Sequence, residues 1–254
     1  MIETDNLRRS YGSKEALRGL TLRVAPGELL GFLGPNGAGK STTVKILTGM
    51  IKPDAGRATV AGFDVVRDPL AVKQRIGYVP ESAALYESLS AREYLDLIAS
   101  LHHLPADATR PRIEDLLDRF ELSAAIDQRL SEFSKGMKQK VLIASALMHR
   151  PDVLFLDEPL TGLDANAALV VKELLRGLAA QGRTIFFCSH VLEVVERICT
   201  RIVIIDKGKM IADGAAADIA AAAGEATLER AFVALTGTRD AALVTHDLLE
   251  ALER

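Results

Sequence analysis

The sequence is poor in cysteine. Of 254 residues only Cys188 and Cys199 carry a thiol, and neither stands in a C-x-x-C pair. Reduced, buried thiols are the expectation, and a disulfide framework or cysteine metal site is not. The chain also lacks any run near the roughly 18 apolar residues that a spanning helix needs. Its first residues, MIETDNLRRS, have no apolar stretch of the kind a signal peptide carries. Both absences predict a cytoplasmic chain, peripheral to a membrane at most. Basic charge is not in excess, since the formal net charge is −3. The cluster Leu7 to Arg9 is too short to matter, so no nucleic-acid partner is expected. The guanine-specific motif N-K-x-D is missing too.

What is present reads as α/β. The length suits one large domain, or one domain with a sizeable insertion. LTLRVAPGELLGFLG alternates like a strand, breaks at Pro-Gly, then continues as a buried strand over Leu29 to Leu33. A helix is predicted from Gly39 to about Met50, stopped by IKPDAG. RATVAGFDV and RIGYVP each read as a strand. From about Leu85 to Arg150 strand signals stop. SAREYLDLIASLHHL begins at Ser90 with Glu93 at capping-box spacing. PRIEDLLDRFEL and KGMKQKVLIASALMHR also read as helices, so the whole stretch is predicted to be a helical insertion. Strands return in DVLFLD and TIFFCSH, on either side of the helical NAALVVKELLRGLAAQG. RIVIIDKGKMIADG reads as a hairpin turning at Lys207-Gly208. Beyond Gly214 the tail is alanine-rich and weakly helical. Alternating strands and helices imply a mostly parallel sheet.

GPNGAGKS, Gly34 to Ser41, fits G-x-x-x-x-G-K-[ST] at every fixed position. A strand precedes it and a helix follows, the context this motif requires. Glycines let backbone N–H groups close around phosphate oxygens, and the helix N-terminus adds partial positive charge. Lys40 can reach the β- and γ-phosphates, and the Ser41 hydroxyl can ligate Mg²⁺.

VLFLDEP, Val153 to Pro159, is an apolar strand ending in two acids. Asp157 emerges at the C-terminal end, where open α/β sheets bind ligands. It would hold Mg²⁺, usually through water. The adjacent Glu158 would polarise an attacking water. His190 ends the apolar FFCSH on the same side. Spacing alone leaves it between a structural residue and a γ-phosphate contact. Tyr11, in RRSYG, either stacks on a base or packs on the sheet.

In this order, Tyr11, GPNGAGKS, GYVPE, a helical segment, FSKGMKQK, VLFLDEP, LTGLD and FFCSH resemble the nucleotide-binding domain of ABC transporters. The resemblance covers roughly Ile2 to Gly214. It implies a P-loop NTPase (RecA-like) core of mostly parallel sheet, an antiparallel N-terminal β region and a helical subdomain. The core would be residues 1–84 and 151–214, the helical subdomain 85–150, and a small helical tail 215–254. Tyr11 would stack on adenine. Gly34, Asn36, Gly37, Ala38, Gly39, Lys40, Ser41 and Thr42 would hold the phosphates of ATP and its Mg²⁺. Asp157 would organise the metal, Glu158 would be the catalytic carboxylate, and His190 would contact γ-phosphate. Asp164 would lie in the D-loop between two subunits. Glu81 stands where the family usually has a glutamine. FSKGMKQK falls on the signature motif. Ser134 and the amides near Gly136 would bind the γ-phosphate of ATP held by a second subunit, as a helix N-terminus can.

Two departures stand out. Glu81 puts a carboxylate where an amide is usual; when ionised it accepts but cannot donate, and it is expected to approach Mg²⁺, its added charge being offset by Mg²⁺ or by a raised pKa. Lys135 replaces a signature glycine in the first turn, where the helix dipole disfavours a cation. Either it faces solvent, or it adds a contact to the phosphate or the other subunit. The implied function is the Mg-dependent ATPase subunit of a transporter, a homodimer at the cytoplasmic membrane face beside a separate permease. SKGMKQ and the tail LERAFVALTG resemble the ATPases of drug and polysaccharide export. A soluble relative acting on ribosomes or DNA is the competing reading. Each motif occurs once, and the long insertions and clustered cysteines of such relatives are missing.

Overall fold

The computed structural model describes residues 1–82, 85–237 and 252. Two sheets form the frame. The first is antiparallel, in the order β2-β1-β4-β5, from β1 (Ile2–Tyr11), β2 (Lys14–Val24), β4 (Ala55–Val60) and β5 (Phe63–Asp64). The second has six strands. Its parallel members, from one edge, are β6 (Ile76–Val79), β7 (Val153–Asp157), β8 (Thr184–Cys188), β3 (Leu29–Leu33) and β9 (Arg201–Asp206). The antiparallel β10 (Lys209–Gly214) completes the other edge.

Every residue of β3, β7 and β8 is buried, so these strands are apolar on both faces. The period of two then assigns the layers. Leu30, Phe32, Phe155 and Phe186 face the antiparallel sheet and helix α1 (Lys40–Leu47). Phe186 lies 4.8 Å from Phe32 and 5.5 Å from Phe155, centroid to centroid. Leu29, Leu33, Leu156 and Phe187 face the other way, towards the helices between β6 and β7 and those beyond β7.

Among the described residues three α-helices separate β6 from β7: α3 (Ala91–Leu101), α4 (Ala106–Arg119) and α5 (Lys135–Leu147); a short α2 (Pro69–Arg75) precedes β6. The box at α3 is complete. Ser90 Oγ accepts from the Glu93 amide at 3.2 Å, and Glu93 Oε2 accepts from the Ser90 amide at 2.8 Å. After β7 come α6 (Ala165–Ala180), α7 (Leu192–Ile198), α8 (Ala216–Ala222) and α9 (Leu228–Thr236).

Three local expectations need correction. RATVAGFDV is two paired strands, because Ala61 and Gly62 both adopt positive φ and turn the chain. The helix predicted from Pro111 starts at Ala106, and Pro111 lies inside it. Proline there removes one amide donor, but the surrounding turns hold. The helix after the phosphate loop is shorter than predicted, Lys40–Leu47, since Gly39 is left-handed at one end and Gly49 has positive φ at the other. The hairpin at Lys207-Gly208 forms as read, with both residues at positive φ. Of the tail, residues 215–237 are described and carry α8 and α9; the rest of 215–254, apart from 252, lies outside the described residues.

Candidate nucleotide-binding site

The loop between β3 and α1 is shaped by what packs behind it. A Cβ on Gly39 would sit 2.6 Å from the Ala16 carbonyl oxygen, and one on Gly34 would collide with the Ile205 carbonyl oxygen. Gly39 also has φ +115, which side chains rarely adopt. The β9–β10 turn braces the loop: Gly208 N–H donates to Ala38 O at 2.9 Å, and Arg18 N–H donates to Gly208 O at 2.8 Å. Ala38 is therefore buried behind the loop, while Asn36 and Gly37 are exposed on its front. Lys40 Nζ curls over the loop and donates to Gly34 O at 2.5 Å and Pro35 O at 3.2 Å.

This loop floors a cleft of about 750 Å³. Gly34, Asn36, Gly37, Gly39, Lys40, Ser41 and Thr42 line it. Tyr11, the last residue of β1, stands at one side, with the Arg9 guanidinium 5.1 Å from its ring centroid. Glu81, Asp157, Glu158 and His190 line the cleft as well.

Glu158 and His190 are joined. Glu158 Oε1 accepts from the His190 amide at 2.6 Å and lies 2.8 Å from His190 Nδ1; Oε2 accepts from Ser189 Oγ at 3.0 Å. The Glu158 backbone is left-handed, φ +51, and its amide donates to Cys188 O at 2.9 Å. Non-glycine residues in this region cost of order 1 kcal/mol or more. The conformation turns the carboxylate from the end of β7 towards the end of β8. His190 is exposed, leaving the rest of its ring free to reach into the cleft.

Asp157 is buried at the end of β7. Burial, then the charges of Glu81 and Glu158, push its carboxyl up to about 6, with Lys40 and Lys45 acting the other way. A divalent cation beside Asp157 would offset this crowding of acids. The nearby donors, carboxylates and the Ser41 hydroxyl, are all oxygen and suit Mg²⁺. Among the described residues no three His, Cys, Asp or Glu side chains gather as an enclosing metal cage. The remaining ligands would be phosphate oxygens and water, the usual habit of this ion.

Ser134, Gly136 and Asp164 do not line the cleft. Ser134 caps α5, its Oγ accepting from the Met137 amide at 3.2 Å. The hydroxyl proton stays available, as do the first amides of the helix, which have no intrahelical acceptor. Asp164 caps α6, accepting from the Ala167 amide at 2.8 Å, and that bond lowers its pKa. The two caps are neighbours: a Cβ on Gly136 would sit 2.7 Å from the Gly162 carbonyl oxygen.

Lys14, Ser189, Leu192 and Phe232 also line the cleft, and sequence reasoning missed them. Lys14 was within reach of it, because a tight turn after Tyr11 pairs the two residues across β1 and β2. The Lys14 ammonium lies 3.4 Å from where a Gly37 Cβ would be. Phe232 comes from α9, and no sequence signal links that tail to the site. Cys188 is a buried thiol and Cys199 a partly buried one.

A parallel sheet with a phosphate loop after its central strand, and acids at the ends of neighbouring strands, defines a P-loop nucleotide-binding protein. Comparison with known proteins narrows the class. The sequence profile of the ABC transporter family matches residues 17–161. Daunorubicin resistance ATP-binding protein DrrA3 of Streptomyces coeruleorubidus is 43% identical, over 88% of this chain and 71% of that one. Nod factor export ATP-binding protein I of Paraburkholderia xenovorans (strain LB400) is 42% identical, over 84% of this chain and 70% of that one. A solved ATP binding subunit of an ABC transporter superposes with TM-score 0.87 at 34% identity, covering 92% of this chain and 99% of its own. The chain belongs to the ABC transporter ATP-binding family.

Proposed function

We propose that the chain is the ATP-hydrolysing subunit of an exporter, working as a homodimer around two ATP and driving a separate membrane permease. The observation that carries this reading is the Glu158–His190 pair lining one cleft with Lys40, Ser41 and Asp157. Tyr11 stacks on adenine. The loop amides and Lys40 hold the β- and γ-phosphates, and Ser41 and Asp157, with Glu81 nearby, would hold Mg²⁺. The metal, when bound, supplies neutralising charge at the phosphates. Glu158 accepts the proton of a water as its oxygen bonds to the γ-phosphorus. The bond to the β-phosphate oxygen breaks, and ADP and phosphate leave. His190, oriented by Glu158, donates to the γ-phosphate.

Ser134 and the amides at Gly136 complete the site in trans, closing over ATP held by the other subunit, with Asp164 at the seam. Hydrolysis removes the anion that joins the subunits, and their opening moves the permease. The docking groove lies between the helical segment 85–150 and the Glu81 loop. Export is supported by the resistance and export names of the relatives. Among the described residues no helix is long and apolar enough to cross a membrane, which fits a peripheral subunit on the cytoplasmic face. The test is co-purification with a multi-spanning membrane protein, together with ATPase activity lost in Glu158→Gln. Turnover that survives this substitution, or association with ribosomes or DNA instead, would overturn the reading.

A further inference from the structure

Arg9 and Tyr11 stand two residues apart on β1, so the period of two puts both side chains on one face of the strand. The Arg9 guanidinium lies over the Tyr11 ring, 5.1 Å from its centroid, within the range of a cation–π contact. One face of the ring is therefore covered by a cation. Tyr11 is nevertheless 47% exposed, and it lines the cleft. A flat base can stack only on its other face.

Arg9 is itself held from a third segment. Asp54 lies just before β4. Its Oδ1 accepts from Arg9 Nη1 at 2.6 Å, its Oδ2 accepts from the Ser10 amide at 2.6 Å, and its own amide donates to Arg8 O at 2.9 Å. Three successive residues of β1 are thus tied to one aspartate. The strand is irregular here: its pairing with β2 shifts register between Arg9 and Ser10. Its ladder to β4 runs as far as Arg8, and beyond that residue the Asp54 side chain takes over. A shift of register re-aims the side chains that follow, and Tyr11 comes next. Arg9 Nε is buried without a partner. A buried donor without an acceptor costs free energy; the Asp54 ion pair and the ring contact offset that cost and keep the guanidinium against the ring.

We infer that Arg9 and Asp54 are positioning residues for the base: Asp54 fixes Arg9, and Arg9 holds the Tyr11 ring so that its free face meets adenine. The inference rests on the reading that Tyr11 stacks on adenine, and it extends that contact back along β1 and across to the residue before β4. The physical gain is preorganisation. An exposed tyrosine gives up rotamer freedom when a base stacks on it. A ring already pinned by a cation gives up less. Neither Arg9 nor Asp54 lines the cleft, so each acts through Tyr11.

The test measures, on the purified full chain, equilibrium binding of ADP, which is not turned over, and its displacement by inorganic tripolyphosphate, which carries no base. Arg9→Gln should weaken ADP binding about three- to tenfold and leave tripolyphosphate unchanged. Arg9→Lys should recover part of the loss, because an ammonium still makes a cation–π contact. Asp54→Asn should reproduce the pattern more weakly, since its amide oxygen can still accept from Ser10. Tyr11→Ala should weaken ADP at least as much as Arg9→Gln does. In the Tyr11→Ala background Arg9→Gln should then add nothing, because its route to the base is gone. Equal weakening of tripolyphosphate would make Arg9 a support of the fold, and an additive double variant would give it a route of its own; either overturns the inference. So does an Arg9→Gln chain that binds ADP normally. If Tyr11→Ala alone weakens ADP in those cases, the stacking reading stands. If Tyr11→Ala binds ADP normally, the stacking reading and the inference both fall, while ATP turnover lost in Glu158→Gln still carries the ATPase reading.

Discussion

The side chain of Lys135 lies along Gly162. A Cβ on Gly162 would sit 2.8 Å from Lys135 Cγ and 3.0 Å from Cδ. The first residue of α5 is thus packed on the loop between β7 and α6. A lysine here opposes the helix dipole, at about 0.3–1 kcal/mol, but its methylene stem covers backbone while the ammonium reaches solvent. Gly162 has φ +82, so Gly162→Ala meets both backbone strain and the lysine stem. We expect a loss of about 1–3 kcal/mol. Part of it should return in the Lys135→Gly background, because only the strain remains. Denaturant unfolding of the four variants measures the coupling; additive effects would show that the packing carries no energy.

Asp157 makes the protein's stability depend on pH. Its folded pKa, about 6, exceeds its ordinary value of 3.8. The native state therefore binds the proton more tightly than the unfolded chain does. This carboxyl's contribution is full at low pH and is lost as pH rises through about 6. At pH 7 without nucleotide or Mg²⁺, Asp157→Asn should raise stability by about 1–3 kcal/mol. Below about pH 4 the gain should vanish. Thermal unfolding at the two pH values checks this, and an equal gain at both would refute it.

Glu158→Gln should lower kcat by about 10²–10⁴-fold, the range for loss of a general base. ATP binding should persist, because Lys40, Ser41 and Tyr11 are untouched. Single-turnover kinetics with the protein in excess over ATP, beside an equilibrium ATP-binding measurement, separate the two. Lost binding would mean that Glu158 supports the cleft rather than the chemistry.

Lys14 places a second ammonium beside the phosphate loop. Lys14→Gln should raise KM for ATP several-fold with kcat nearly unchanged, as for a contact equal in ground and transition states. The effect should shrink at high salt, where exposed charges are screened. A fall in kcat alone would contradict the assignment.

Glu81 lines the cleft with Asp157 and helps to raise its pKa. Glu81→Gln should lower the Asp157 pKa and change the Mg²⁺ concentration needed for half-maximal turnover. Identical Mg²⁺ titrations would reject any role of Glu81 near the metal.

Local chemistry decided most of what the sequence revealed. The glycines of GPNGAGKS, the continuous apolar run before Asp157, the Ser90 capping box and the Lys207-Gly208 turn each act within a few residues, so each is written in the chain itself. That is enough to predict an α/β P-loop core. RATVAGFDV misled because its turn contains Ala61, whose positive φ no propensity announces. Pro111 misled because a proline normally marks a helix start, whereas α4 is long enough to hold it.

Other features depend on distant segments meeting, and sequence spacing does not encode that. Glu158 reaches His190 only because β7 and β8 are neighbours and because its own backbone turns left-handed. Asp157 has a raised pKa because it is buried and because Glu81, which follows β6, adds its charge to that of the neighbouring Glu158. Lys135 finds Gly162 through packing of α5 on the loop before α6. The sequence by itself determined the family and the α/β core, since these follow from short patterns of residue type. Tertiary structure alone decided which charges are paired, because pairing is a matter of distance in space.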